Sequence, residues 1–222
     1  MAKKESLKKE DNISQPKGNA LIHGKLFGVI KFILGICLLP FVYSVSVAFL
    51  NEFSGLDKVI QNTFWGGLIS LLIIYLFIWE PVAIYAKGHN MLEFIFSFFR
   101  PMVKVAPYLL PIYAIVLFLF YLPLSSINNS PQLLKYFIFL FGFSMGLHLI
   151  FGAKSLRTKQ QDFLKANYIF GFSFVYILNL VLAALMMNFI FEKFSVVNFL
   201  NNAFQIARGI FDATFAQLFA VK

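Results

Sequence analysis

Residues 72–88 read "LIIYLFIWEPVAIYAKG": an apolar run is crossed by Glu80 and Pro81, resumes, and ends at Lys87. In water such a run belongs to a buried core. In lipid it belongs to a spanning helix close to its wet end. Composition decides between the two solvents. The 222-residue chain is 59% hydrophobic and only 13% charged, with a mean hydropathy of +0.77. A soluble domain of this length has too little interior to hide that much apolar surface, and average chains carry roughly 25% charged residues. The fold class that follows is all-α, a polytopic helical membrane protein whose first partner is the lipid bilayer.

A crossing needs about 20 apolar residues for a core of about 30 Å. Five segments meet that length, at about 27–50, 64–86, 103–123, 132–152 and 168–190. Basic residues sort by loop. Lys3, Lys4, Lys8, Lys9, Lys17, Lys25 and Lys31 lie at or before the start of the first span. Lys87, Arg100 and Lys104 separate the second from the third, and Lys154, Arg157, Lys159 and Lys165 the fourth from the fifth. Fourteen of the nineteen cations thus share one side, against Lys58, Lys135 and Lys193 on the other. The positive-inside rule then gives a cytoplasmic N-terminus and, after five crossings, a C-terminus on the opposite side. The net charge of +9 is therefore a topology signal rather than a nucleic-acid surface.

Three regions follow. Residues 1–25 are polar and lysine-rich and read as a disordered cytoplasmic tail. The tail is too long for a signal peptide and no small-residue cleavage site follows it, so the first span is expected to remain. Residues 26–190 form the transmembrane domain. In 195–220, Leu200, Phe204, Ala207, Phe211, Phe215 and Leu218 recur at spacings of three and four, with Asn201, Asn202, Gln205, Arg208, Asp212 and Gln217 between them. That pattern predicts an amphipathic helix, started by Ser195, that lies along the far interface or docks on a partner. Within the spans, Gly142 with Gly146 and Ser44 with Ala48 have the four-residue spacing that lets helix backbones approach. Pro107 and Pro111 should kink or break the third span near its cytoplasmic end. Cys37 is the single cysteine, so no intrachain disulfide or cysteine metal site exists.

Polar groups at membrane depth are the candidate site. With Trp65 and Tyr85 as interface markers, Glu80 falls about 8 Å inside the cytoplasmic boundary. An isolated carboxylate there is protonated, paired or facing a wet cavity. His148 lies at a similar depth in the fourth span, and Asn179 and Tyr75 complete a candidate cluster. Two readings stand: a proton-relay or ligand site, or a structural hydrogen bond between helices with Glu80 marking a helix end before Pro81. Lys31 and Lys104 are near enough to the cytoplasmic end to snorkel. His23 and His89 fall in loops, where hydration is the expectation. The sequence has no HExxH, GxSxG or phosphate-binding glycine loop, so it implies no metal and no cofactor.

The order "WEPVA" (79–83), "VAPYLLPIY" (105–113) and "GLHLIFGAKSLRTKQQDFLKANYIFGFSFVYILNL" (146–180) resembles bacterial membrane proteins of the site-2-protease-like metallopeptidase class. The resemblance covers about residues 70–185 and sets WEPVA where that class has HExxH. It implies that Glu80 matches the general-base glutamate, that Trp79 and Ala83 replace both zinc-binding histidines, and that Pro81 intrudes into a helix. His148 and Asp162 would be inherited positions with no metal to serve. Without a zinc-activated water such a protein hydrolyses nothing. The expectation is a pseudoprotease: a non-catalytic scaffold, assembly factor or accessory subunit bound to another membrane protein, in the bacterial inner membrane. The alternative is a proton-coupled carrier or channel subunit using Glu80 and His148.

Overall fold

The computed structural model describes residues 17–78, 82–95, 97, 109–128, 130–157 and 167–219. Among these residues every regular element is helical: α1 (Lys17–Ser54), α2 (Lys58–Ile73) continued by a π-helical turn (Ile74–Ile78), α3 (Val82–Ile95), α4 (Ile112–Ile127), α5 (Pro131–Leu156), α6 (Tyr168–Ile190) and α7 (Val196–Phe219). Four stretches are long and apolar enough to cross a membrane: Gly28–Ser54, Lys58–Phe77, Pro131–Leu156 and Tyr168–Ile190. The chain is an all-α, multi-pass membrane protein.

Three boundaries differ from the sequence expectation. Helix α1 begins at Lys17, so residues 17–25 extend the first span instead of belonging to an unfolded tail. Elongating an existing helix adds one hydrogen bond per residue fixed, and the costly nucleus is already in place. The second span starts at Lys58, not residue 64, and its helix gives way to the π turn at Ile74. The described helix ends with that turn at Ile78. Residues 82–86, expected in the same span, open the separate helix α3. Of the third span, Pro111 caps the start of α4, whose 16 residues cover about 24 Å. The chain is thus broken at Pro111, as proline chemistry predicts. Pro107 lies outside the described residues.

The turn between α1 and α2 shows how the hairpin closes. The Gly55 and Leu56 N–H groups donate to the carbonyls of Glu52 and Phe53. Buried Gln61 donates through Nε2 to the carbonyls of Ser54 and Leu56, at 2.9 and 2.7 Å. Helix α5 opens on Ser130, whose hydroxyl accepts the Leu133 N–H, with Pro131 in the first position. Asn167 caps α6 in the same way through the Phe170 N–H.

The helices pack in two groups. Helix α2 lies along α5 with backbones nearly touching: a Cβ on Gly67 would collide with the Phe139 carbonyl, and one on Gly142 with the Phe64 carbonyl. Gly146 faces Leu71. Gly142 and Gly146 thus mark a real helix seam, and Gly67 is the half of it that the spacing pattern did not reveal. Helix α4 joins this group along α5. The second group is α1, α6 and α7, with Gly35 set against the Phe170 backbone. Ser44 and Ala48 are fully buried on α1. Phe49, Phe53, Phe64, Phe141, Phe194 and Phe199 form a common aromatic core across the two groups.

Helix α7 is the amphipathic helix that the periodicity predicts, and its buried residues meet α1. Its first turn is tied down where Ser195 N–H donates to Glu52, Asn198 N–H donates to the Ser195 hydroxyl, and Val196 N–H donates to Asn188. It then runs back antiparallel along α1: Phe199 packs on Phe49, and Phe211 sits 5.5 Å from Phe41. Phe199, Ala203 and Ala207 are its buried residues. Alanines at a four-residue spacing allow that close approach. Of the expected apolar stripe, Leu200, Phe204, Phe215 and Leu218 are exposed. Beyond Phe211, residues 212–219 of α7 are all exposed.

Candidate functional site

His148 is the centre of the polar region. Helix α5 carries it inward at 6% exposure, into a small cleft lined by Tyr85, Gly88, His89 and Leu92 of α3 and by Ile112 and Tyr113 of α4. Gly88 makes the cleft possible, because a Cβ there would stand 2.8 Å from the Tyr113 ring. The Tyr113 hydroxyl donates to the Ile84 carbonyl and fastens α4 to α3. His89 belongs to α3 and is half-buried, with Nδ1 3.4 Å from Glu93 Oε1, so the expectation of a hydrated loop histidine does not hold. The signal was available in the spacing: His89 stands four residues from both Tyr85 and Glu93, which places all three on one helix face.

Tyr75 joins the same end of the molecule. Its ring meets Phe151 edge-on at 6.2 Å, and Phe151 in turn stacks on Tyr85 at 4.9 Å. Lys154 Nζ lies 5.2 Å from the Tyr75 ring centre, within cation–π range. Tyr75 packs on the Leu71–Leu147–Phe151 cluster, of which Leu147 also lines the His148 cleft.

Asn179 is placed differently. It is fully buried on α6, and its Nδ2 donates to the Val175 carbonyl at 2.7 Å and the Leu109 carbonyl at 3.3 Å. It staples α6 to the segment entering α4, and its Oδ1 has no hydrogen-bond partner among the described residues. No described contact joins Asn179 to His148. Glu80, Trp79, Pro81 and Asp162 lie outside the described residues. Lys31, expected to snorkel outward, is 2% exposed and engaged within the protein.

Chemically, the cleft offers two imidazoles and two phenols, groups that hold or pass a proton. Among the described residues no three His, Cys, Asp or Glu side chains are grouped to hold a metal ion. The larger apolar cavity lies elsewhere, between Phe49, Trp65, Met145 and Leu180, with the hydrogen-bonded pair Ser46 and Tyr176 on its wall. The outer face of α7 is the other polar feature: Asn198, Asn201, Gln205, Arg208 and Asp212 are all exposed, and Arg208 Nε pairs with Asp212 Oδ2 at 3.5 Å. Comparison with family models, curated proteins and solved structures finds no match to this chain.

Proposed function

We propose that this is a non-catalytic integral membrane protein that works by holding another membrane protein, as a scaffold, assembly factor or accessory subunit. The observation that carries this reading is the polar outer face of α7, level with a spanning helix and turned away from the rest of the chain. Amides and charges at that depth need partners, and the chain itself supplies none on that side beyond the Arg208–Asp212 pair among the described residues. Descent from a site-2-protease-like enzyme belongs to the same reading, with Trp79 and Ala83 in place of metal-binding histidines and Glu80 as a remnant. The excess of cations in the α3 and α5–α6 connections supports a cytoplasmic N-terminus, and a bacterial inner membrane belongs to the same reading.

The test is co-purification from membranes in mild detergent. A second protein at fixed stoichiometry is expected, and the double substitution Asn201→Leu with Gln205→Leu should release it without lowering the abundance of this chain. A chain that purifies alone at every detergent strength would refute the reading.

A carrier or channel subunit remains the second reading, favoured by one observation: buried His148 shares its cleft with His89, Tyr85 and Tyr113. In that case His148→Gln and Glu80→Gln each abolish proton-coupled transport in reconstituted vesicles at unchanged abundance.

A further inference from the structure

The apolar cavity where α1 and α6 meet α2 and α5 measures about 180 Å³. Its inner wall is buried: Phe49, Phe64, Met145 and Ala183. Leu50 and Trp65, both exposed, form its mouth on the outer surface of α1 and α2. Apart from the Trp65 indole at the mouth, its polar side chains are Ser46 and Tyr176, whose hydroxyl oxygens are 2.9 Å apart. A second hydrogen bond fixes the direction of the first. Ser46 Oγ donates its single hydrogen to the Val42 carbonyl, at 2.6 Å. Tyr176 is therefore the donor to Ser46, and both hydroxyl hydrogens are used. What the pair has left is acceptor capacity alone. No group donates to the Tyr176 oxygen among the described residues.

From this we infer that the cavity is a binding site for an uncharged phenolic lipid, with the ring and hydroxyl inside and the tail leaving between Leu50 and Trp65. Size sets the body of the ligand. An apolar cavity of about 150 Å³ stays dry and takes a benzene-sized molecule, and a buried water needs about three hydrogen bonds, more than this wall supplies. Charge sets what the head excludes. Among the described residues no charged side chain lines the cavity, so a carboxylate or phosphate would sit without a counter-charge against oxygen lone pairs. Hydrogen bonding sets what the head includes. A hydroxyl supplies the donor that the Tyr176 oxygen can accept, and a phenol, being more acidic than an aliphatic alcohol, donates more strongly. The Phe49, Phe64 and Trp65 rings give a planar head aromatic neighbours. Ser46 lies one turn, about 6 Å, deeper along α1 than Leu50, so the ligand enters hydroxyl first. The site shares no residue with the His148 cleft and does not depend on the binding role proposed above.

Trp65 reports on the site directly, because Trp79→Phe leaves it as the sole tryptophan of the full-length chain. Bromine quenches indole fluorescence on contact. The probes are meta-bromo-para-pentylphenol and its methyl ether, which accepts a hydrogen bond but cannot donate one. Each is titrated into the protein in mild detergent. The expected result is saturable quenching by the phenol at concentrations about fivefold or more below those the ether needs. Tyr176→Phe should bring the two probes level, and Leu68→Phe, which adds bulk to the cavity wall, should abolish saturation for both. If Tyr176→Phe fails to accumulate, the comparison of the two probes in the Trp79→Phe chain decides alone. Equal saturable quenching by both probes would make this a general acyl-chain site and overturn the phenolic assignment. A phenol preference that survives Tyr176→Phe would overturn the hydrogen bond on which it rests. Quenching that rises without saturating reports partition into the micelle and overturns the site itself.

Discussion

Two polar regions of the molecule use similar residue types in opposite ways. Around His148 and Asn179, polar side chains point inward and find partners within the chain: Asn179 with two carbonyls, Tyr113 with the Ile84 carbonyl, and the Tyr75 ring with Lys154. On α7, Asn198, Asn201, Gln205, Arg208 and Asp212 point outward from a helix that follows a membrane span. The first arrangement is held mostly within the chain, although Asn179 Oδ1 has no hydrogen-bond partner among the described residues. The second faces away from the chain, with the Arg208–Asp212 pair as its internal contact among the described residues, and such a face would be costly if it met lipid uncovered. The contrast teaches that polar residues of this chain are sorted by direction, some into its own packing and some away from it.

The strongest way to break this contrast is to separate the helices that enclose the inner region. Gly142→Leu puts a side chain into the Phe64 carbonyl and should cost about 3 kcal/mol or more. Thermal unfolding in detergent should show a large loss, and a stability close to that of the parent would mean that α2 and α5 do not pack as described. Asn179→Leu is expected to cost less, about 1 kcal/mol, since intramembrane hydrogen bonds are individually modest. Partner binding should survive it, and loss of the partner at full stability would tie the inner region to function. Asn201→Leu with Gln205→Leu should move stability by less than about 0.5 kcal/mol, because these exposed groups support nothing inside the chain. It should nonetheless release the bound protein. His148→Gln sharpens the comparison from the other side: partner retention is expected, and abolished proton transport would move the weight to the carrier reading.

Much of the fold was legible in the sequence because lipid-solvated helices announce themselves by length and apolarity. The glycine pair in α5, the break at Pro111 and the start of α7 at Ser195 were legible too, each from a local chemical requirement. What was not legible is mostly a matter of partners. Four-residue spacing on α5 shows that something approaches closely, but nothing local says that Gly67 is what meets it. Periodicity gives α7 an amphipathic face without saying whether that face meets water, lipid or α1. Phe199, Ala203 and Ala207 are the residues buried within the chain, and Leu200, Phe204, Phe215 and Leu218 of the apolar stripe are exposed. The apolar run through residues 72–88 covers a change of element, from the turn that ends at Ile78 to the helix that begins at Val82, which hydropathy alone does not show. His89 was masked by the Gly88–Asn90 surroundings that resemble a loop, although its spacing to Tyr85 and Glu93 fits a helix. Of the cluster expected from Glu80, His148, Asn179 and Tyr75, no described contact joins His148 to Asn179 or Tyr75, and Glu80 lies outside the described residues.

Native mass spectrometry of the gently solubilised protein tests the central claim most directly, since it reads bound protein and bound metal together. The account predicts a second, different protein at fixed stoichiometry, lost when Asn201 and Gln205 are replaced by leucine. A bare monomer, or an oligomer of this chain alone, would contradict it.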